Sequence, residues 1–143
     1  MSHALEVRVE QVGPSTSKGV ARSHTVLIDR PVPKGGADQG PLGGELLLLA
    51  LGGCFTSNLL AAIRAREAAI SDVRVSVTGT IEGPPDRFSG IALKVSARHE
   101  DSELLGKLIT IAERSCLVTN TLRAGTPISI AIEESQIESA ART

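Results

Sequence analysis

Tryptophan and tyrosine are missing from this 143-residue chain, and Phe55 and Phe88 are its only aromatic side chains. Two rings cannot build the stacking platform that single-stranded nucleic acid needs, and haem or flavin would be poorly served as well. Charge of one sign is also lacking, since 15 Lys and Arg against 16 Asp and Glu leave a formal net charge of −1. That balance excludes a strongly basic nucleic-acid binder and an acidic disordered tail. Cys54 and Cys116 are the only cysteines and lie 62 residues apart. This is neither the close pairing of a zinc ribbon or thioredoxin-like motif nor a secreted disulfide framework. His3, His24 and His99 complete the set of soft or borderline ligands, and no two of these five residues have ligand-like spacing. Neither a metal nor a cofactor is expected.

What the chain does have is apolar aliphatic content, with 41% hydrophobic and 22% charged residues. The expectation is one soluble domain spanning 1–143, its core filled by Leu, Ile, Val and Ala. A monomer of this size would expose roughly 7,000 Å². Glu6, Arg8 and Glu10 interrupt the stretch where a signal peptide would be apolar, so a cytoplasmic protein with no membrane partner is expected. Leu46 to Ile63 runs 18 residues without a charge, the threshold length for a membrane span. Thr56, Ser57 and Asn58 near its middle, with Gly52 and Gly53, favour instead a helix buried in a core or subunit interface.

Periodicity orders the elements. Leu5, Val7 and Val9 alternate with charged residues as in a half-wet strand. Gly19–Asp29 is rich in β-branched residues and reads as a second strand, on which Arg22 and His24, two apart, share a face. Pro31–Gly44 packs five glycines and three prolines into 14 residues, a loop whose glycines suggest flexibility and which has no phosphate-binding ending. A long helix from Gly44 or Glu45 to about Ala69 follows. Ser71–Ile81 and Ile91–Ala97 alternate as a hairpin with one buried face. Asp101 or Ser102 caps a second helix reaching Cys116, TNTLRAG adds a short turn ending at Gly125, and Ile128, Ile130 and Ile132 predict a final strand. The sum is an α+β fold, antiparallel sheet with helices on one side.

A free cysteine is most often a small buried hydrophobe. Cys54, however, follows Gly52 and Gly53 inside an apolar helix, where a bare backbone would let a substrate approach or a neighbour pack closely. At 100° per residue Leu47, Ala50, Leu51, Ser57, Asn58, Ala61 and Ala65 share its face, an aliphatic surface with a polar notch at Ser57 and Asn58. Burial there disfavours the thiolate, so a reactive sulfur needs a cation nearby.

ELLLLALGGCFTSNLLAAI and ITIAERSCLVTNTLRAG, with DRPVPKGGADQGPLGGELL before the first helix, resemble the superfamily of osmotically inducible protein C and the organic hydroperoxide resistance proteins (OsmC/Ohr), from about Val7 to about Ile132. The resemblance implies an OsmC-like intertwined homodimer with antiparallel sheets around buried central helices and active sites built from both chains. It also implies a thiol-dependent peroxidase for organic hydroperoxides, acting in oxidative stress defence. Cys54 would attack the peroxide and become a sulfenic acid, Cys116 would resolve it to a disulfide, and an external dithiol, a lipoyl protein or a thioredoxin-type reductant, would restore the pair. Family peroxidases draw an arginine from an N-terminal segment, and Arg22 is the candidate, with Arg30 second. Two departures separate this chain from the better understood members. Gly44 occupies the position ten before the reactive cysteine where an acid holds that arginine, and Leu117 stands where many relatives have proline. Glu45, nine before Cys54, lies about 180° around the helix and suits a cap better than a replacement. The alternative to an enzyme is a non-enzymatic stress protein that senses oxidation through Cys54 or binds a small hydrophobic ligand.

Overall fold

The computed structural model describes residues 1–133. Among them the chain runs through three short strands, β1 (Arg8–Gln11), β2 (Ser17–Ala21) and β3 (His24–Ile28), then a 3₁₀ turn at Val32–Lys34 and the long helix α1 (Gly43–Ala65). The hairpin β4 (Ser71–Glu82) and β5 (Arg87–Arg98) follows, and then the helices α2 (Ser102–Ser115) and α3 (Leu117–Ala124). Two antiparallel sheets result, β1-β2-β3 and β4-β5.

The core lies between α1, α2 and one face of the β4-β5 hairpin. Leu51, Phe55, Leu59, Ala62 and Ile63 of α1 meet Leu108 and Ala112 of α2 and Cys116, with Val73, Val75, Val77, Ile91, Leu93 and Val95 packed against them. Those hairpin residues alternate with exposed Arg74, Ser76, Thr78, Lys94 and Ser96, the period-two pattern in register Val75↔Val95 and Val77↔Leu93. α1 is long and apolar enough to cross a membrane by length and composition, yet it carries one side of this core. No residue of β1–β3 belongs to the core cluster.

Glycine fits helix to sheet. A Cβ on Gly52 would stand 2.9 Å from Val77 Cγ2, whereas one on Gly53 would meet nothing within 4 Å. Close packing, not access for a substrate, therefore explains Gly52. Gly79, at the same interface, leaves room for the Phe88 ring, 2.6 Å from where its Cβ would be.

Several expectations need correcting. The segment Gly19–Asp29 is not one strand: the chain reverses at Arg22-Ser23, pairing Ala21 with His24, and Arg22 takes φ 57°. Nothing in Arg-Ser carries the usual two-residue turn chemistry, so the reversal was hidden. α1 stops at Ala65, not Ala69, because Glu67 adopts φ 48° while the Ala68 amide donates to Ile63 O (3.1 Å) and the Glu67 amide to Arg64 O (3.1 Å). These two bonds close the helix as a Schellman motif with glutamate where glycine is usual. The loop glycines are not mere flexibility, since at Gly36 and Gly40 the backbone passes hard against the carbonyls of Arg30 and Leu27. No strand forms at Ile128–Ile132, whose three isoleucines are 89%, 95% and 81% exposed; alternation makes a strand only when another strand offers hydrogen bonds. Finally, the chain exposes 11186 Å², far above the roughly 7,000 Å² of a compact monomer this size.

Candidate functional site

Two helices bring the cysteines together. Cys54 sits midway along α1, half-buried, and packs against the cluster that contains Cys116. Cys116 is wholly buried, 0% exposed, at the corner where α2 ends and α3 begins. The corner is held by backbone bonds on both sides: the Cys116 amide donates to Glu113 O (3.3 Å), and the Asn120 amide donates to Cys116 O (3.0 Å). Asn120 Nδ2 also reaches back to Arg114 O at 3.1 Å. Both thiols are free.

Burial alone would push the Cys116 thiol up. The Thr119 hydroxyl and amide, the Cys54 side chain and the Val118 amide outweigh it and hold the thiol below its ordinary value. This is the physics of a helix start, where amides without intrahelical partners favour negative charge. Asn58, one turn on from Cys54, donates from Nδ2 to Cys54 O at 2.9 Å and stands 3.9 Å from Sγ. Ser57, read from sequence as part of the same notch, is exposed and lines a different groove of about 630 Å³ with Leu49, Gly53, Thr56 and Leu60.

A second groove, of about 750 Å³, lies between α1, β5 and the α2-α3 corner. Leu47, Leu51 and Phe55 form one wall, Phe88, Ile91, Leu93 and Val95 of β5 another, and Ile109, Glu113, Thr119, Leu122 and Arg123 of α2 and α3 the third. Both phenylalanines of the chain line it. Its one ion pair joins Arg123 Nη2 to Glu113 Oε2 at 2.7 Å.

The remaining sequence candidates lie elsewhere. Arg22 is exposed in the β2-β3 turn, His24 is the exposed first residue of β3, and Arg30 is exposed at the start of the loop. None belongs to the cluster around the cysteines. Glu45 caps α1, its Oε1 accepting from the Leu42 amide at 2.8 Å; Gly44 instead faces the Phe88 ring, 3.5 Å from where a Cβ would stand. Among the described residues no group of three or more His, Cys, Asp or Glu is arranged to hold a metal. Glu113, Thr119 and Arg123 were not singled out from the sequence. Their signal was spacing, three before, three after and seven after Cys116.

Comparison with known proteins gives a consistent picture. The family model for OsmC-like protein matches residues 35–131. No curated protein matches the sequence. A hypothetical protein from Aquifex aeolicus VF5 has a similar structure, with 17% identity, TM-score 0.74 and coverage of 92% of this chain and 96% of that one. An OsmC like protein from Mycoplasma pneumoniae is similar at 21% identity, TM-score 0.72, covering 86% of this chain and 89% of its own. An organic hydroperoxide resistance protein from Elizabethkingia anophelis gives 18% identity and TM-score 0.61, with 86% and 90% covered.

Proposed function

The chain belongs to the OsmC-like protein family, and from that premise we propose that it is a thiol peroxidase that reduces organic hydroperoxides. The observation that carries the proposal is the packing of the half-buried Cys54 against the cluster that contains the wholly buried Cys116, across 62 residues of sequence.

The difference in exposure supports a division of roles between the two sulfurs. Cys54 is the sulfur a peroxide can reach, and Cys116 can act only on what Cys54 has become. The Cys54 thiolate attacks one peroxide oxygen, the O–O bond breaks, and the alcohol leaves with a proton, leaving a sulfenic acid. Cys116, its thiol held below the ordinary value, then attacks the sulfenic sulfur. Water departs and a disulfide remains, which an external dithiol, lipoyl or thioredoxin-type, reduces by exchange.

Arg22 is proposed as the cation that keeps the Cys54 sulfur ionised, lent by a second copy. What supports this is that β1–β3 carries Arg22 yet contributes nothing to its own chain's core. A guanidinium suits the role because it stays charged and offers several donors in a fixed fork. The proposal thus includes a homodimer, acting in the cytoplasm in oxidative stress defence.

The test is turnover. With a dithiol present the wild type should consume many equivalents of cumene hydroperoxide per subunit, Cys54→Ser none, and Cys116→Ser one before it stops. Equal consumption by wild type and Cys54→Ser would overturn the enzyme reading, and a single equivalent from the wild type would mark a sensor instead.

A further inference from the structure

The peroxidase cycle draws its cation from a second copy and gives no task to the polar residue beside Cys54 on its own helix, Asn58. Asparagine is a poor helix former, because its amide competes for backbone bonds, and here it stands among the 18 uncharged residues from Leu46 to Ile63. Its backbone partner fixes its orientation. Cys54 O only accepts, so the side-chain atom 2.9 Å from it is the amide nitrogen, Nδ2. A primary amide has two N–H donors. One is spent on this carbonyl, and the same nitrogen stands 3.9 Å from Cys54 Sγ, which leaves the second for the sulfur. Thr56 makes the contrast, since its single donor goes wholly to Gly52 O at 2.7 Å.

We propose that Asn58 is a donor to the reacting sulfur: once Cys54 ionises, the second Nδ2 N–H closes on Sγ and stabilises the thiolate. The inference rests on the reading of Cys54 as the reacting sulfur and adds a residue of the same chain that touches it. A hydrogen bond to a charged acceptor is shorter and about twice as strong as one between neutral groups, so the amide favours the ionised sulfur over the thiol. Both residues are half-buried, where such a bond is weakened less by water than on an open surface. The hairpin meets the cluster against which Cys54 packs with Val75, Val77, Ile91 and Leu93, and α2 meets it with Leu108 and Ala112, all apolar. Of the titratable groups, Cys116 at the α2-α3 corner belongs to that cluster, while Glu113 and Arg123 pair with each other at 2.7 Å beside a groove whose lining does not include Cys54. α1 itself carries no charge between Glu45 and Arg64. Arg22, proposed from a second copy, is common to every variant below.

Asn58→Thr separates the sulfur contact from the helix bond. A threonine there keeps a donor for Cys54 O, as Thr56 does for Gly52 O, and has none left for Sγ. In the full chain carrying Cys116→Ser, the rate of Cys54 alkylation by iodoacetamide is measured across pH. Asn58→Thr should raise the pH of half-maximal alkylation by about half to one unit, the size of one ordinary net hydrogen bond, and so slow alkylation below that pH about three- to tenfold. The plateau at high pH should hold or rise, since a thiolate freed of a donor is the stronger nucleophile. Asn58→Leu, a better helix former with no donor at all, should shift the midpoint at least as far, and circular dichroism verifies that both variants fold. An unshifted midpoint in Asn58→Thr overturns the assignment, and so does an equal fall in rate at every pH, either of which makes Asn58 a helix-bonding residue only. Alkylation needs no peroxide. If the expected shift is seen and Cys54 of the parent protein is never oxidised by cumene hydroperoxide, the peroxidase reading falls and the role of Asn58 stands.

Discussion

Asp29 is the one buried charged side chain among the described residues, 3% exposed. It is tolerable there because its carboxylate is fully engaged: Oδ1 accepts from the Arg30 amide (2.7 Å), and Oδ2 from the Thr16 hydroxyl (2.8 Å) and the Gln39 (3.1 Å) and Ala37 (3.3 Å) amides. Burial pushes its pKa up, but bonds from Arg30, Thr16, Gln39 and Ser15 prevail and bring it down to about 2 from 3.8. Hydrogen bonds to the charged form do this generally. The residue thus ties the β1–β3 sheet to the loop that enters α1, with the Asp29 amide donating to Pro41 O at 3.1 Å. The sign of the linkage follows: a depressed folded pKa stabilises the fold above the unfolded value of 3.8, and the contribution is lost as pH falls through about 2. Asp29→Asn should therefore be less stable than wild type in urea at pH 7, and the gap should narrow from pH 4 downward and close near pH 2. A gap that persists at pH 2 would mean that shape, not charge, makes Asp29 matter. In the sequence Asp29 was only the end of a strand, because its partners are amides of a loop whose path no periodicity describes.

At the scale of elements, the glycines of the helices separate packing from propensity. Gly52 and Gly106 are both interior helical residues, and replacing glycine by alanine in a helix ordinarily gains about 0.5–1 kcal/mol. Gly106→Ala in α2 should gain that much, since nothing lies within 4 Å of its Cβ. Gly52→Ala should instead lose about 1 kcal/mol net, because the new methyl meets Val77 Cγ2 at 2.9 Å on a stiff β-branched side chain, and overpacking costs about 1–3 kcal/mol. Chemical denaturation of the two variants measures the difference, and equal signs would show that α1 can slide on the β4-β5 hairpin. The same elements show what was legible beforehand. α2 and the hairpin announced themselves because one buried face imposes a period on the residues, α1 because its uncharged run is too long for a strand, and Asp101 announced the start of α2 by chemistry, its Oδ1 accepting from the Leu104 amide at 3.0 Å. The turn at Arg22-Ser23 and the end of α1 at Glu67 did not, because residues of ordinary type take positive φ at both. The cysteines were recognisable from their flanking sequence. Glu113 and Arg123 were not, for they stand on two helices whose meeting depends on the angle at Cys116, φ −75° and ψ 110°.

For the whole molecule, the surface is the datum that a single chain does not satisfy. The exposed 11186 Å² exceeds a compact monomer's by roughly 4,000 Å², more than one chain's share of an ordinary obligate interface, so association would cover only part of it. Part of that surface is apolar. On the outer face of α1, Leu49 and Leu60 are 63% and 44% exposed, with Gly53 and Ser57 between them as small residues that let another helix come near. The isoleucines at 128, 130 and 132 alternate like a strand in want of a neighbour, and β1–β3 stands outside the core of its own chain. An open strand edge and an apolar helix face on one small protein are liabilities unless association removes them. Wild-type protein should therefore sediment as a dimer at micromolar concentration. Leu60→Glu should shift it toward monomer, because association would then bury an unpaired carboxylate at a cost of several kcal/mol. The same variant should lose peroxidase activity in proportion to the monomer formed, since the cation proposed for Cys54 comes from the other copy. A Leu60→Glu monomer with full activity would mean that one chain holds a complete site and that Arg22 is not part of it.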